Sequence, residues 1–500
     1  ANPPELIQYD PGGKRIDYIK VSAAWQRLHD VAATEGIVAT AYERKQGEYS
    51  RLHQFIRLYL FHPSSAMVSC PLAMTDGAAK VLESVADNDI TREAFKHLCS
   101  RNPHEFWTSG QWMTEANGGS DVGLSESVAV QDDNGDWLIS GRKWFTSAAT
   151  SQIALTLARP EGNPTGGSGL ALFYLETRNS DGGMNGIRVA RLKDKLGTRK
   201  VPTAELLLDR TRARLVGEAR NGVRQIVPML TMTRTWNSVC AAASMRRGLA
   251  LACDYATRRE AFGRSLSQQP LHVATLARLQ AEAAGALVFC FRLTDLIGLS
   301  ETDGLSSLEE AQLRLLTSLT KLTTGRQAVA VASEVLEAFG GAGYVEDTGI
   351  PVLLRDSQVM PIWEGTTNVL SLDFLRALDE VGGTEALIHL IDDCQSKCAD
   401  PELVRAVAQA RDAASQAQEW LSQVMEDRMR LEAGARRLAI TLGRSLELAL
   451  LCEHAQWAID NSHDRFPADC ALVLAANGTG LGDEVGTDLA AQVAAEILSE

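Results

Sequence analysis

The chain has 500 residues, of which 45% are hydrophobic and 22% are charged, so it has the composition of a globular protein that is too long for one hydrophobic core. Its net charge of −14 argues against a general nucleic-acid binder, and no uninterrupted apolar run approaches the ~20 residues that a membrane span requires. From Val381 onward there are 20 acidic and 9 basic residues, so the last quarter carries most of the negative excess. We therefore expect about three domains and neither a nucleic-acid nor a membrane partner.

Nine cysteines are scattered along the chain, and the pair Cys394 and Cys398 lacks His or Cys partners at metal-ligand spacing. We therefore expect no metal site and a reduced, intracellular, soluble protein, with the cytoplasm and the mitochondrial matrix both open. The chain begins with Ala1 rather than methionine, which is expected where a targeting segment or another part of the sequence has been removed.

The spacing of apolar residues along the chain changes from helical to strand-like and back, and these changes suggest the domain limits. Residues 1–108 are expected to form an N-terminal α-helical domain, because Trp25 and Leu28 begin one amphipathic pattern and Phe55 and Leu58 carry another. Between residues 109 and 218 the period changes to two, and Asp-Asn-Gly at 133–135 is a strong hairpin turn, which predicts an antiparallel β domain.

Long helices with few prolines return after the β domain. We expect a C-terminal helical bundle over residues 219–380 and a helical C-terminal extension over residues 381–500. Residues 471–482 mimic a dinucleotide-binding loop, but too few residues follow for a βαβ unit. We therefore expect a turn between two helices there.

The sequence Met-Pro-Ile-Trp-Glu-Gly-Thr-Thr-Asn at residues 360–368 places Glu364 on a loop just before a helix. Thr366 or Thr367 is expected to supply the N-cap hydroxyl. Taken alone, this pattern favours an acidic residue that helps to cap the helix.

The residues upstream of Glu364 change that interpretation. Gly-Gly-Ala-Gly-Tyr at 340–344 and the pair Arg355-Asp356 precede it. This order resembles the C-terminal signature of the acyl-CoA dehydrogenase family, in which the glutamate of the E-G-T loop is commonly the catalytic base. The resemblance implies this role for Glu364. Some members carry the base on an earlier helix, where this chain has Thr233, which cannot abstract a proton at neutral pH.

Three further motifs resemble the same family. Residues 113–121, which alone are equally well explained as a surface turn, resemble its T-E-x-x-x-G-S-D segment that lines the flavin, with Ala116 in place of the usual proline. Residues 141–147 are similar to its G-x-K-x-W-I-T-N strand, although a tryptophan ending a strand is usually a core residue. Residues 259–266 match its R-x-x-F-G-x-x-L element, which reaches the FAD of a neighbouring subunit, and a guanidinium suits a pyrophosphate.

This chain departs from the family pattern at Pro270 and Glu337, where glutamines are usual. With those departures, the resemblance implies cofactor contacts from twelve residues: Met113, Thr114, Gly119, Ser120, Trp144, Thr146, Arg259, Phe262, Glu337, Gly341, Thr366 and Asn368. It implies substrate contacts from Ser120, Arg234 and Gly365.

The resemblance also implies a fold and an activity. The expected fold is an N-terminal α-helical domain, a middle antiparallel β-barrel and a C-terminal α-helical bundle, plus the extra helical region. The implied reaction is FAD-dependent α,β-dehydrogenation of an acyl-CoA to the trans-2-enoyl-CoA in a homo-oligomer, either a dimer or a tetramer. Glu364 would remove the α-proton while the β-hydride passes to flavin N5, and an electron-transferring flavoprotein would take the electrons.

Several features look closest to the AidB-like branch of the family: Thr-Arg-Thr-Trp at 233–236, Trp363 and the helical extension. That branch is linked to the alkylation response, and some members bind DNA through the extension. Three arginines spaced seven apart would form a stripe there: Arg430, Arg437 and Arg444. Four acidic residues interleave with them and favour a solvated, salt-bridged face: Glu426, Asp427, Glu432 and Glu447. An acyl-CoA oxidase using O2 and a non-catalytic acyl- or DNA-associated flavoprotein remain as alternatives.

Overall fold

The computed structural model describes residues 2–85, 89–302 and 304–478, together with residues 492, 493, 495 and 496. The chain divides into two compact units, the first comprising Ala1–Gln46 and Ile56–Trp236 and the second comprising Gly47–Phe55 and Asn237–Glu500. The domain limits expected at residues 108, 218 and 380 stay a prediction.

The first unit begins with a β-hairpin and continues as helices. Its early elements are β1 Glu5–Tyr9, β2 Arg15–Lys20, α1 Ala23–Thr34, α2 Ala39–Glu43, α3 Ser50–Phe61, α4 Ser69–Ser84 and α5 Asp89–Leu98, with α3 running across a unit boundary. The expectation of helices throughout residues 1–108 missed this hairpin, in which two short segments rich in Ile, Leu and Tyr flank a Pro-Gly-Gly turn.

A buried carboxylate ties the helices of the first unit together. Asp76 on α4 is fully buried and accepts hydrogen bonds from the Tyr42 hydroxyl and the Trp236 indole N–H, each at 2.7 Å. Because a buried carboxylate without donors would cost several kcal/mol, these two bonds specify how α2, α4 and the helix that carries Trp236 meet.

Seven strands form the β part of the first unit: β3 Ser109–Trp112, β4 Val128–Gln131, β5 Trp137–Thr146, β6 Ile153–Pro160, β7 Ala171–Glu176, β8 Ile187–Leu192 and β9 Ala204–Val216. Strands β6, β4, β5, β9 and β7 close into a ring, with β3 paired to β6 and β8 paired to β9. The expected turn joins β4 to β5, with Gly135 at a φ of +83°. Most pairings are antiparallel as expected, but β6 runs parallel to β3 and β4.

The second unit is helical. After α6 Gly222–Gln225 in the first unit, α7 Val227–Arg258 crosses into the second, and the elements that follow are β10 Glu260–Ala261, β11 Arg264–Ser265, α8 Pro270–Ser300, α9 Ser307–Ala338, α10 Pro351–Ser357, α11 Thr367–Val381, α12 Glu385–Ser396, α13 Pro401–Val424, α14 Arg428–Ser462 and α15 Phe466–Gly478. The turn expected over residues 471–482 is wrong for residues 471–478, which belong to α15, and residues 479–482 lie outside the described residues.

Helix α14 is the centre of the C-terminal region. It packs against α8, α9, α11, α12, α13 and α15. A Cβ built at Gly443 on α14 would lie 2.3 Å from Thr323 Oγ1 on α9, so glycine is needed for this close approach. In the part of the chain that the structure describes, α8 alone is long and apolar enough to cross a membrane, and 56% of its most apolar window is buried in the protein.

A cluster of charged side chains around the fully buried Glu447 joins α14 to the bundle. Arg444 donates to Glu282 Oε2 on α8 at 2.6 Å and to Glu447 Oε2 at 2.9 Å, and Gln327 on α9 donates to both carboxylates. Burial raises the pKa of Glu447 to about 8, because loss of hydration and the Glu282 charge outweigh Arg444. The solvated face expected for these residues is therefore wrong at Arg444 and Glu447, since Glu447 is fully buried.

Glu447→Gln is expected to change the pH dependence of stability. An unfolded glutamate has a pKa of about 4.3, whereas Glu447 in the folded protein has a pKa of about 8. The folded state therefore binds more protons between these values, and this contribution to stability is lost as the pH rises from about 4.5 to about 8. The melting temperature of the parent should fall relative to that of Glu447→Gln over this range.

Glu432→Gln is the matched control, because Glu432 is an exposed acid on the same helix and pairs with Arg428 at 2.7 Å. It should keep the pH dependence of the parent. If the melting temperatures of the parent and Glu447→Gln change in parallel with pH, Glu447 is already ionised at low pH and the expectation is wrong.

Candidate active site

The loop between α10 and α11 holds Glu364 in an unusual backbone conformation. Its φ is +58°, in the left-handed region that residues with a Cβ rarely adopt, and Gly365 follows with a φ of +106°. Thr366, one of the two residues expected as N-cap, accepts a hydrogen bond from the Val369 amide at 3.4 Å and caps α11. Glu364 is half-buried on this loop.

Buried side chains hold the loop on both sides of Glu364. The Trp363 indole N–H donates to Asn237 Oδ1 at 2.5 Å, and Asn237 Nδ2 donates to the Met360 carbonyl at 3.0 Å. On the other side, Lys321 Nζ donates to the Gly365 carbonyl at 2.6 Å. Sequence reasoning did not single out Asn237 or Lys321.

Three residues that the sequence predicted to bind cofactor line one cleft in the second unit: Arg259, Glu337 and Gly341. The cleft has a volume of about 570 Å³, and Tyr255 and His272 contribute to its wall. An exposed guanidinium beside glycine backbone and an aromatic ring suits a phosphate linked to a heterocycle.

Phe262 lies at the tip of the β10–β11 hairpin. Phe262 and Gly263 have φ angles of +53° and +80°, as a two-residue type I′ turn requires. The Phe262 ring is 98% exposed. An aromatic side chain presented on a rigid turn is suited to contact with another molecule.

The residues predicted to bind cofactor in the first unit meet at β5. The Trp144 amide donates to the Thr114 carbonyl at 3.0 Å, and a Cβ built at Gly119 would lie 2.9 Å from Thr114 Cγ2. The pairing of β5 with β9 is irregular between Lys143 and Thr146, a bulge that changes the direction of the intervening side chains. Thr114, Gly119 and Trp144 are therefore neighbours.

The side chains around this group differ in exposure. Thr146 is fully buried and its hydroxyl donates to the Ala204 carbonyl at 2.5 Å, so its hydrogen is used within the barrel. Met113 is half-buried and Ser120 is exposed. Any contact of Thr146 with a bound group must therefore use its oxygen or its backbone.

A buried ion pair anchors the loop at residues 113–121. Lys143 is fully buried, and its Nζ donates to Glu115 Oε1 at 2.7 Å and to the Leu157 carbonyl at 2.8 Å. Burial raises the pKa of Glu115, but the Lys143 charge and hydrogen-bond donors outweigh it and lower the pKa to about 2. Besides Lys143, the Glu115 carboxylate accepts hydrogen bonds from the Ser125 hydroxyl and from the backbone amides of Glu126 and Ser127.

Lys193 places a charge against the tryptophan predicted to contact the flavin. Its Nζ lies 3.5 Å from the centroid of the Trp144 ring and 2.7 Å from Glu205 Oε1. This is a close cation–π contact, and sequence reasoning did not single out either charged residue.

The remaining predicted residues are Arg234, half-buried on α7 in the first unit, and Asn368, exposed at the start of α11, where Arg436 Nη1 donates to its Oδ1 at 3.4 Å. Among the described residues no group of three or more His, Cys, Asp or Glu could hold a metal ion. The structure thus forms three groups from the predicted residues: Glu364, Gly365 and Thr366; Arg259, Glu337 and Gly341; and Thr114, Gly119 and Trp144.

Four family models match consecutive parts of the chain. They are the adaptive response protein AidB N-terminal domain at residues 1–103, the acyl-CoA dehydrogenase middle domain at 110–211, the acyl-CoA dehydrogenase C-terminal domain at 220–378, and the acyl-CoA dehydrogenase 11 C-terminal domain-like model at 388–470. The motif order and the helical extension predicted from the sequence agree with this series.

Two curated relatives match most of the chain. Acyl-CoA dehydrogenase family member 11 of Caenorhabditis elegans is 43% identical over 473 residues, which cover 90% of this chain and 76% of that protein. The putative acyl-CoA dehydrogenase AidB of Escherichia coli is 32% identical over 397 residues, which cover 78% of this chain and 71% of that protein.

Three solved structures resemble this chain over most of its length. The C. elegans ACDH-11 structure in complex with C11-CoA has a TM-score of 0.92 at 40% identity, covering 99% of this chain and 86% of that chain. The Bd2924 apo-form has a TM-score of 0.83 at 46% identity, covering 91% of this chain and 88% of that chain. A Bacillus anthracis acyl-CoA dehydrogenase complexed with FAD shares the fold, with a TM-score of 0.78 at 17% identity, covering 95% of this chain and 89% of that chain.

These matches confirm the fold expected from the sequence, an N-terminal helical part, a middle β-barrel and a C-terminal helical bundle with a helical extension. Because they cover most of the chain in one continuous order, the chain belongs to the acyl-CoA dehydrogenase family, beside the AidB and ACDH-11 relatives.

Proposed function

We propose that the chain catalyses the α,β-dehydrogenation of an acyl-CoA thioester, with FAD as its cofactor. The observation that carries this proposal is Glu364, a half-buried carboxylate on a loop that is held on both sides. The C. elegans ACDH-11 structure, 40% identical to this chain, is a complex with C11-CoA and supports the substrate class.

In the proposed reaction Glu364 is the general base. The thioester carbonyl acidifies the α-hydrogen, and the Glu364 carboxylate accepts this proton. The electron pair of the α C–H bond becomes the α,β double bond as the β-hydrogen leaves with its own electron pair. The product is the trans-2-enoyl-CoA, and the Glu364 backbone N–H would polarise the thioester carbonyl.

FAD, when bound, supplies the acceptor for the β-hydride. The residues present fit this cofactor. In the first unit, Trp144 offers a ring surface beside Thr114, and Gly119 leaves no side chain between the loop and Thr114. In the second unit, the Arg259 cleft offers a cation and glycine backbone for a pyrophosphate.

The active form that we propose is a homo-oligomer. Arg259, Phe262 and Gly341 would contact the FAD of a neighbouring subunit, and the fully exposed Phe262 ring supports this arrangement. An electron-transferring flavoprotein is the proposed electron acceptor, and the proposed location is intracellular.

Two alternatives predict different results. An acyl-CoA oxidase would use the same base and pass its electrons to O2, so its reduced flavin would reoxidise rapidly in air. A non-catalytic acyl- or DNA-associated flavoprotein would bind acyl-CoA without flavin bleaching. Arg444, which the DNA-binding alternative would need on the surface, is instead engaged with Glu282 and Glu447.

Glu364→Gln is expected to remove the base while keeping the shape of the side chain. The variant should bind FAD and acyl-CoA nearly as the parent does, and flavin reduction by substrate should slow by about 10²–10⁴-fold. The measurement is anaerobic stopped-flow mixing with a panel of acyl-CoAs, with flavin bleaching followed at the absorbance maximum of oxidised FAD.

Asp379→Asn serves as the charge-matched control, because Asp379 is an exposed acid on α11. It should reduce its flavin at the parent rate. If Glu364→Gln does the same, Glu364 is a helix-capping acid and not the base.

Arg259→Ala is expected to weaken FAD binding. A charge-assisted hydrogen bond to phosphate contributes about 1.5–3 kcal/mol, so the dissociation constant should rise by about 10–100-fold. Titration of the FAD-depleted protein by flavin fluorescence measures the affinity, and analytical ultracentrifugation of the loaded protein measures the oligomeric state.

Arg258→Ala is the neighbouring control, because Arg258 is exposed and pairs with Asp254 at 2.5 Å on the same helix. It should bind FAD as the parent does. A stable monomer with full flavin occupancy would contradict the proposed role of a neighbouring subunit.

A further inference from the structure

The base loop, defined here as residues 360–366, has a conformation that it would not adopt by itself. Glu364 and Gly365 follow one another with φ angles of +58° and +106°. A left-handed conformation at a residue with a Cβ costs about 1–3 kcal/mol and persists only where the surroundings hold it. Two side chains from other helices bond to the loop, one before Glu364 and one after it.

Asn237 on α7 holds the loop before Glu364. It is 4% exposed, and its amide makes one bond through each end, accepting from the Trp363 indole N–H and donating to the Met360 carbonyl. An indole nitrogen can only donate and a carbonyl can only accept, so these two partners fix the orientation of the amide.

Lys321 on α9 holds the loop after Glu364. Its side chain is fully buried, and its Nζ donates to the Gly365 carbonyl at 2.6 Å. Burying an ammonium costs several kcal/mol, and a methionine of similar volume would avoid this cost. A lysine at this position is therefore poorly explained by packing alone, and the hydrogen bond to the Gly365 carbonyl is one interaction that offsets the cost of burial.

Helix α9 also approaches the loop directly. A Cβ built at Gly325, one helical turn after Lys321, would lie 3.0 Å from the Met360 carbonyl oxygen. The loop therefore lies against the backbone of α9 at one end and on the Lys321 ammonium at the other, with Glu364 between these contacts.

We propose that Asn237 and Lys321 are positioning residues, which fix the direction of the Glu364 carboxylate and of its backbone N–H for proton abstraction. This inference rests on the proposed function. A misplacement of about 1 Å at a reacting group can reduce the rate by about 10²-fold. Loss of either contact should thus slow the reaction of bound substrate and change substrate binding little.

The test uses holoenzyme with three substitutions, Lys321→Met, Asn237→Ala and Trp363→Phe. The last keeps an aromatic ring and removes the indole N–H together with part of the ring volume, so it tests the contact before Glu364 if Asn237→Ala prevents folding. Flavin reduction at saturating acyl-CoA should fall by about 10–10²-fold, whereas the half-saturating concentration and the FAD content should stay near the parent values.

Ser318→Ala is the matched control. Ser318 is fully buried on α9, one turn before Lys321, and donates a hydrogen bond to Asp373 at 2.7 Å rather than to the base loop. Its rate of flavin reduction should equal that of the parent even if its melting temperature falls. Slowing equal to that of Lys321→Met would show that any lost buried contact has this effect and would overturn the proposal.

A second measurement isolates the proton transfer. 3,3-Dimethylbutanoyl-CoA has α-hydrogens and no β-hydrogen, so exchange of its α-hydrogens in D2O, followed by mass spectrometry, reports the base without hydride transfer. The three variants should exchange more slowly than Ser318→Ala. Exchange at the parent rate with slow flavin reduction would overturn the positioning role. Parent-rate reduction in Glu364→Gln would overturn the role of Glu364 as the base, and a parent flavin that no acyl-CoA bleaches would overturn the proposed function itself.

Discussion

The φ of +58° at Glu364 is the constraint on which the rest of this site depends. Such a conformation is unfavourable for any residue with a side chain, so it requires contacts from outside the loop. Helices α7 and α9 supply them through Asn237 and Lys321. The consequence is that helices hold the backbone from which Glu364 projects, although loops are normally mobile.

A buried lysine also holds a loop at the predicted site of the first unit. Lys143 and Lys321 are both fully buried, and each donates a short hydrogen bond to a loop that carries predicted site residues. In the barrel the acceptor is the Glu115 carboxylate, which also orders the amides that follow residues 113–121. A buried charge is costly unless its partners are in place, so each lysine favours one loop conformation over the alternatives.

The sequence predicted the features that are local and missed those that depend on neighbours in space. The hairpin turn at Gly135, the cap at Thr366 and the change from helical to strand periodicity each follow from a few adjacent residues. Lys143 could have been noticed, because it is in phase with the buried Ile139 on β5. Lys321 and Asn237 could not, because their partners lie 44 and 123 positions away along the chain. The pair of half-buried Arg444 and fully buried Glu447 was misread for the same reason, since Glu282 and Gln327 come from other helices.

The helical extension bears on the site through the elements that it packs against. Helix α14 contacts α9, which carries Lys321, and α11, which begins immediately after the base loop. Gly443 brings α14 within van der Waals contact of Thr323, two residues beyond Lys321. A side chain at position 443 would therefore press on the turn of α9 that carries Lys321. The extension therefore packs on α9 and α11, the two helices beside the base loop, and the Arg444 cluster is one of the polar contacts that hold α14 on the bundle.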